Sequence, residues 1–362
     1  MPAVCLNGKF AAQQITGVQR AARAFIEALD RHEGPAVADW LLLRPAGTRP
    51  LPLRYINQRE IGWPGMPLHL WEQWALPQAA RGALLVNLAG SAPWWPRGRQ
   101  LTLIHDAAVF DRPEAYTPCF AAWYRHLHRR LARNGSALLT VSAFSQARLA
   151  AALALAPDRI GLLPNGGDHL DDVPADAAVL PHLGLSEGRY LLAVASANPN
   201  KNIDGLIAAF TRLPAARGLQ LVLCGGDNPQ VFARAPAACA TAGVLRIGYQ
   251  DDRSLKALYQ HALALVFPSV YEGFGLPPLE AMACGCPVIA ARAAAIPEVC
   301  GDAALYVEPQ AIDALTAALQ RVHDDAGLRD SLRRAGAARV ASFRWRHSAA
   351  LLRRHVGDVS FA

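Results

Sequence analysis

Two carboxylates, Glu272 and Glu280, stand eight residues apart in FPSVYEGFGLPPLEAMACGCPVIA, with a glycine and proline turn between them. LALVFPS reads as a strand ending at Pro268, YEGFG as a turn, and LPPLEAMACG as a helix with Pro277 and Pro278 near its first turn. A strand, a glycine turn and a helix start together make an anion site, because backbone N–H groups and the helix dipole converge there. Gly273 and Gly275 let a ligand approach the backbone closely. Glu280, placed in the first helical turn, can accept hydrogen bonds from hydroxyls, and Glu272 stands on the loop before it. Either glutamate alone reads as well as a dipole-complementing or solvated side chain. The combination points to a ligand carrying both phosphate and hydroxyls.

Other segments place reactive groups at element ends. LTLIHDA ends a strand with His105 and Asp106, where a parallel sheet presents active-site groups, and Asp106 reads equally as a cap. Lys201, one of three lysines among 36 basic residues, sits on the turn of ANPNKNIDG before a helix. A compact ammonium there suits a phosphate, with a solvated surface lysine as the competing reading. AAQQITGVQRAARAFIEAL runs from a polar loop into an amphipathic helix, with Arg20 in its first turn. Arg125, Arg129 and Arg133 recur at every fourth position and form a basic stripe on one helix face, for which a solvated face is the default reading. Trp71, Trp74, Trp94 and Trp95 lie in the same half and suit sugar stacking, a bilayer interface or plain packing.

These groups must be carried by a frame, and 362 residues predict two domains. Apolar runs without polar alternation suit strands buried on both faces of parallel sheets. The first half offers AVCL, WLLL, LLVNLA, LTLI and ALLTV; the second offers YLLAVA, QLVLC, VLRI, LALVF and PVIA. Helix-patterned stretches separate them, and LLPNGGDHLDDVPAD interrupts the series. The expectation is an α/β chain of two doubly wound, Rossmann-like domains facing across a cleft. Residues 1–168 form the first, 169–345 the second, and 346–362 a helix packing back toward the first.

Composition narrows the function classes. The net charge of +7 lies wholly in residues 1–168, which hold 18 Lys and Arg against 11 Asp and Glu, so an anionic partner is expected there. The clustering is too sparse for a nucleic-acid footprint. Seven cysteines without a CxxC spacing read as reduced thiols, with no metal site. No apolar run reaches the ~18 residues of a membrane span, and MPAVCLNGKF has no secretory pattern, so a cytoplasmic location is expected.

The motifs resemble the retaining glycosyltransferases of the GT-B fold, family 4. EGFGLPPLEAMACGCPVIA looks like their E-x7-E signature, and ALYQHALALVFPSVYEGFG and IPEVCGDAALYVEP extend it. The stretch from LTLIHDA to TVSAFSQARL is similar to their His-Asp and TVSxFS elements, and RIGLLPNGGD to their interdomain segment. TGVQR, the proline and glutamate after the His-Asp pair, and YEGFGLPPLEAM resemble bacterial mannosyl- and rhamnosyltransferases.

That resemblance implies roles. Glu280 would bind ribose hydroxyls of a nucleotide-diphosphate sugar, GDP-mannose being favoured, and Glu272 hydroxyls of the donor sugar. Amides of Phe274, Gly275 and Leu276 would meet sugar and phosphate, Lys201 the diphosphate, and Gly17 the phosphates or acceptor. Tyr249 would line the base pocket, with simple core packing as the competing reading, and His105 would approach the reacting centre. Asn200 replaces the family's usual arginine, and Ser196 stands where some members have another. The acceptor would be a saccharide or a polyprenyl-diphosphate-linked saccharide. Apart from the resemblance, the charge excess of residues 1–168 supports contact of Arg125, Arg129 and Arg133 with that acceptor or with the inner face of the cytoplasmic membrane. No cofactor is implied. The competing readings are a same-fold epimerase or phosphorylase, and a noncatalytic nucleotide-sugar-binding protein.

Overall fold

The chain is described from a computed structural model, covering residues 3–194, 198–214, 218–226, 231–232 and 241–361. Seven strands form the first sheet: β1 Val4–Asn7, β2 Trp40–Pro45, β3 Asn57–Ile61, β4 Leu84–Asn87, β5 Gln100–Leu103, β6 Ala137–Thr140 and β7 Ile160–Leu162. Their order is β3-β2-β1-β4-β5-β6-β7, every neighbour parallel. The second sheet holds β8 Tyr190–Val194, β9 Gln220–Cys224, β10 Val244–Gly248, β11 Ala264–Phe267, β12 Val288–Ala291 and β13 Leu305–Val307. It is again all parallel, in the order β10-β9-β8-β11-β12-β13.

Nine of the ten apolar runs named from sequence become inner strands of these sheets, and VLRI becomes the edge strand β10. β1, β4, β11 and β12 are buried along their whole length, as strands covered by helices on both faces must be. Three further strands, β3, β7 and β13, were not anticipated. β3 is the polar NQREI at a sheet edge, mostly exposed, and so has no hydrophobic pattern to read. Its place is set by Asp30, whose buried carboxylate accepts the backbone N–H groups of Arg54, Tyr55 and Ile56, each at 2.7 Å.

The chain divides into two units. One comprises Met1–Phe110, Ala122–Gly166 and Arg344–Ala362; the other comprises Asp111–Ala121 and Gly167–Phe343. The carboxyl-terminal helix Trp345–Phe361 belongs to the first unit and packs on the helix Gly17–Glu33. Trp345 meets Phe25 edge-on at 4.9 Å, Ser348 Oγ donates to the Pro164 carbonyl at 2.7 Å, and Arg353 pairs with Glu33 at 3.0 Å. Gly166 is a close approach: a β-carbon there would stand 2.4 Å from the Trp345 nitrogen. Trp71 is wholly buried and donates to the Ile61 carbonyl at 2.9 Å, so it is core and leaves the set of ligand candidates. Among the described residues no helix is long and apolar enough to cross a membrane.

Candidate functional site

In each sheet the strand order reverses once, between β1 and β4 in the first and between β8 and β11 in the second. Loops leaving the carboxyl ends of such neighbours diverge and open a crevice, the usual ligand position in open α/β sheets. In the second unit both diverging loops carry predicted site residues. Lys201 follows β8, in the short turn Pro199–Lys201, and Glu272 follows β11. Lys201 Nζ donates to Glu272 Oε1 at 2.6 Å, and its ammonium lies 5.3 Å from the centre of the Phe267 ring. Both side chains are largely buried, 18% and 15% exposed, so the pair is more than a surface contact.

The turn after Glu272 ends at Gly275, whose φ of +107° favours glycine and which caps the helix Leu276–Ala283. Pro277 and Pro278 bring no N–H, so the donors presented by this helix start are the amides of Gly275 and Leu276. The side chains of Phe274 and Leu276 are buried, Phe274 packing edge-on against Phe343 at 5.7 Å, which leaves only their backbone for a ligand.

Glu280 departs from its expected place. It is the fifth residue of the helix, beyond the first turn, and only 3% exposed, so the dipole-complementing alternative fails. Tyr259 donates its hydroxyl to Glu280 Oε2 at 2.8 Å, and His169 Nε2 lies 3.0 Å from Oε1. Burial first, then the charge and hydrogen bond of Glu280, hold the Tyr259 hydroxyl far above its ordinary pKa, so it remains a donor. Neither partner was legible in the sequence. Tyr259 is indistinguishable from other core aromatics, and His169 follows a glycine turn without a pattern.

In the first unit, His105 follows β5 and donates through Nε2 to the Leu88 carbonyl, 2.9 Å away. A carbonyl only accepts, so Nε2 carries the proton and Nδ1 is the free base. Desolvation lowers the His105 pKa, with the Leu88 hydrogen bond opposing. Ser145 Oγ donates to the His105 carbonyl at 3.3 Å, while Ser142 accepts the Ser145 amide at 3.0 Å and caps the helix Ala143–Leu153. These two serines are the physical content of the TVSAFS element. Asp106 Oδ1 accepts the Ala108 amide at 2.8 Å, a local turn contact.

The loop after β4, which supplies Leu88, is fixed twice more. Ser91 Oγ donates to Glu72 Oε1 at 2.6 Å, and Glu72 Oε2 pairs with Lys9 at 2.7 Å, both charges buried. His128 Nε2 donates to the Gly90 carbonyl at 3.3 Å. Burial pushes the His128 pKa down to about 4. The unfolded chain, with an ordinary value near ~6.5, binds the proton more readily, so stability is intact above that pH and falls toward pH 4. The loss from this one group is at most about 3 kcal/mol. Urea midpoints at pH 7 and pH 4.5 are expected to differ less in His128→Gln than in the native chain; an equal difference would remove His128 as the cause.

The remaining predicted residues are placed as follows. Gly17 opens the helix Gly17–Glu33, and no protein atom lies within 4 Å of where its β-carbon would be. Tyr249 follows the edge strand β10 and is 46% exposed, which rules out core packing. Arg125, Arg129 and Arg133 lie on the helix Pro118–Arg133, with Arg129 5.4 Å above the Phe110 ring. Asn200 is buried, its amide N–H bonded to Asn198 Oδ1 at 2.9 Å and its carbonyl accepting from Val270. It brings no charge to the site, and Ser196 lies outside the described residues. Among the described residues no group of three or more His, Cys, Asp or Glu side chains is placed to hold a metal ion.

Residues 182–339 match the family model of the glycosyl transferases group 1. The chain is 35% identical over 257 residues to O-antigen chain mannosyltransferase B of Escherichia coli, covering 68% of this chain and 67% of that one. It is 34% identical over 217 residues to the MMP alpha-(1->4)-mannosyltransferase of Mycolicibacterium hassiacum, covering 57% of this chain and half of the relative. Its fold is similar to that of sucrose-phosphate synthase from Thermosynechococcus elongatus, with a TM-score of 0.76, 22% identity and 98% of each chain covered. Anabaena HepE in complex with UDP-glucose superposes with a TM-score of 0.72 at 16% identity, covering 98% of this chain and 99% of that one.

Proposed function

Because the chain belongs to the group 1 glycosyl transferases, we propose that it moves a hexose, mannose first among candidates, from a nucleotide-diphosphate sugar to a saccharide or lipid-linked saccharide acceptor. The observation that carries this reading is the pair of loops at the strand reversal of the second sheet. They hold Lys201 against Glu272 and lead into a helix start followed by the clamped carboxylate of Glu280. One end of the set accepts ribose hydroxyls at Glu280. The middle offers the Gly275 and Leu276 amides and the Lys201 ammonium to phosphate. The other end offers Glu272 to sugar hydroxyls. The names of the relatives at 34–35% identity favour mannose, and GDP-mannose follows as the donor to try first.

The reaction we infer retains anomeric configuration. The acceptor hydroxyl attacks the anomeric carbon from the face the diphosphate leaves, and the departing phosphate oxygen takes the hydroxyl proton. The protein contributes by orienting the two substrates and by stabilising charge on the leaving diphosphate. Neutral His105, its Nδ1 free to accept, is assigned to the donor sugar. The work falls on Lys201 and backbone donors because Asn200 brings no charge.

Gly17 separates ligand approach from packing. Its missing β-carbon answers to no protein neighbour, so Gly17→Ala costs no packing and gains up to about 1 kcal/mol of helix propensity. The expected result is a melting temperature unchanged or raised, with turnover reduced at least tenfold. Full turnover in the variant would remove Gly17 from the site. The reading as a whole is tested by nucleoside diphosphate release from a panel of GDP- and UDP-hexoses. Turnover that needs an acceptor hydroxyl supports transfer, and release of a sugar phosphate would favour a phosphorylase.

A further inference from the structure

Five large apolar side chains of the first unit stand in solvent among the described residues: Ile15 at 38% exposure lies apart in sequence, and the other four are Trp63 at 50%, Leu70 at 45%, Trp74 at 54% and Trp95 at 70%. These four are not scattered. Trp63 and Trp74 meet edge-on at 6.4 Å, and Trp94 touches Trp95 at 6.1 Å and Trp123 at 5.7 Å. His69 reaches the Trp123 ring at 6.1 Å. Gln73, beside Trp74, joins the two groups: its Oε1 accepts the Trp94 amide at 2.7 Å and its Nε2 donates to the Ala92 carbonyl at 3.2 Å. An exposed apolar patch of this extent marks a surface that something covers.

Charge decides what covers it. From Ile61 to His105 the sequence holds a single acidic residue, Glu72, and that carboxylate is wholly buried against Lys9. The neighbouring helix Pro118–Arg133 has no acidic residue at all. Arg130 lays its guanidinium over both Trp94 and Trp95, at 5.2 and 5.4 Å, while Arg129, Arg133 and Arg97 are exposed. A saccharide platform would set carboxylates beside its tryptophans to accept hydroxyls, and none is exposed on these segments. Indole rings at a solvent boundary, an exposed leucine and exposed arginines on segments that carry no exposed carboxylate match the interface of a bilayer with anionic headgroups.

We propose that the surface bearing Trp63, Leu70, Trp74 and Trp95, with Arg129, Arg130 and Arg133 of the helix Pro118–Arg133, docks the chain on an anionic lipid bilayer. The indoles enter the headgroup region and the guanidinium groups meet lipid phosphates. The contact is peripheral, and it weakens as salt screens it. It assumes nothing about the reaction, so its test does not share an outcome with the donor assay.

The test is co-sedimentation of the full chain with vesicles of phosphatidylethanolamine and phosphatidylglycerol at 3:1, against phosphatidylcholine vesicles, with tryptophan emission followed in parallel. The expected result is binding to the anionic vesicles only, a blue shift of emission, and release at high salt. Arg129→Glu/Arg133→Glu is expected to lower the partition coefficient by about 30-fold or more. Trp74→Ala/Trp95→Ala is expected to lower it on the order of tenfold. Both pairs are exposed, so unchanged melting temperatures are expected and checked first. No binding to anionic vesicles, equal binding to neutral ones, or undiminished binding by both variants overturns the proposal. A tryptophan-dependent dimer in sedimentation velocity, without vesicle binding, would assign the patch to a second copy instead.

Discussion

Glu280→Ala is expected to weaken nucleotide-sugar binding on the order of 10- to 100-fold, the worth of a hydrogen bond to a charged group that is removed entirely. The same change strands the buried Tyr259 hydroxyl, which loses its 2.8 Å acceptor, and costs about 1–3 kcal/mol of stability. Two further variants separate these effects. Glu280→Gln keeps an oxygen for Tyr259 and the same volume, so it should fold as the native chain does while still binding the donor more weakly. Tyr259→Phe leaves the carboxylate in place with His169 as its neighbour, and a loss of only a few-fold in affinity is expected. Calorimetric titration with GDP-mannose, beside urea unfolding, reads both quantities. Native affinity in Glu280→Ala would remove the ribose assignment, whatever the stability.

The second large effect concerns the Lys201–Glu272 pair. Without donor the two charges neutralise each other at 2.6 Å in a largely buried place. In the proposed reading a bound diphosphate would offer Lys201 a stronger anionic partner and release Glu272 to accept hydroxyls of the sugar. Lys201→Met is therefore expected to lower kcat/KM by about 100- to 1000-fold, since one donor to developing phosphate charge is lost and Asn200 brings no charge in its place. Glu272→Gln is expected to depress kcat more than it raises KM, because it acts on the sugar and not on the nucleotide. The double variant should lose less than the product of the single losses, as residues in direct contact do not act independently. Strict multiplicativity, measured by steady-state kinetics, would mean that the pair does not exchange partners during the reaction.

Much of this architecture was visible in the sequence because parallel strands buried on both faces announce themselves as apolar runs. β1, β4, β11 and β12 are examples. β3 escaped because an edge strand answers to its neighbour and to Asp30, neither of which leaves a local pattern. The two glutamates were legible through the glycine turn and prolines between them, but the groups that fix one of them were not. Tyr259 and His169 reach Glu280 from 21 and 111 residues upstream, and no periodicity connects them. The helix start was placed correctly, yet counting turns from Gly275 puts Glu280 past the dipole's reach. That correction removes the dipole reading and leaves the ribose contact as the proposal for this carboxylate. Asn200 shows the opposite case, where a departure noted in sequence proves to be a buried amide with its backbone engaged.

The most direct test of the central claim is release of nucleoside diphosphate from GDP-mannose, with UDP-hexoses in parallel, by the native chain and by Glu272→Gln. The account predicts GDP release by the native chain, accelerated by a saccharide acceptor and nearly abolished in the variant. No release from any donor, or equal release by both chains, would contradict it.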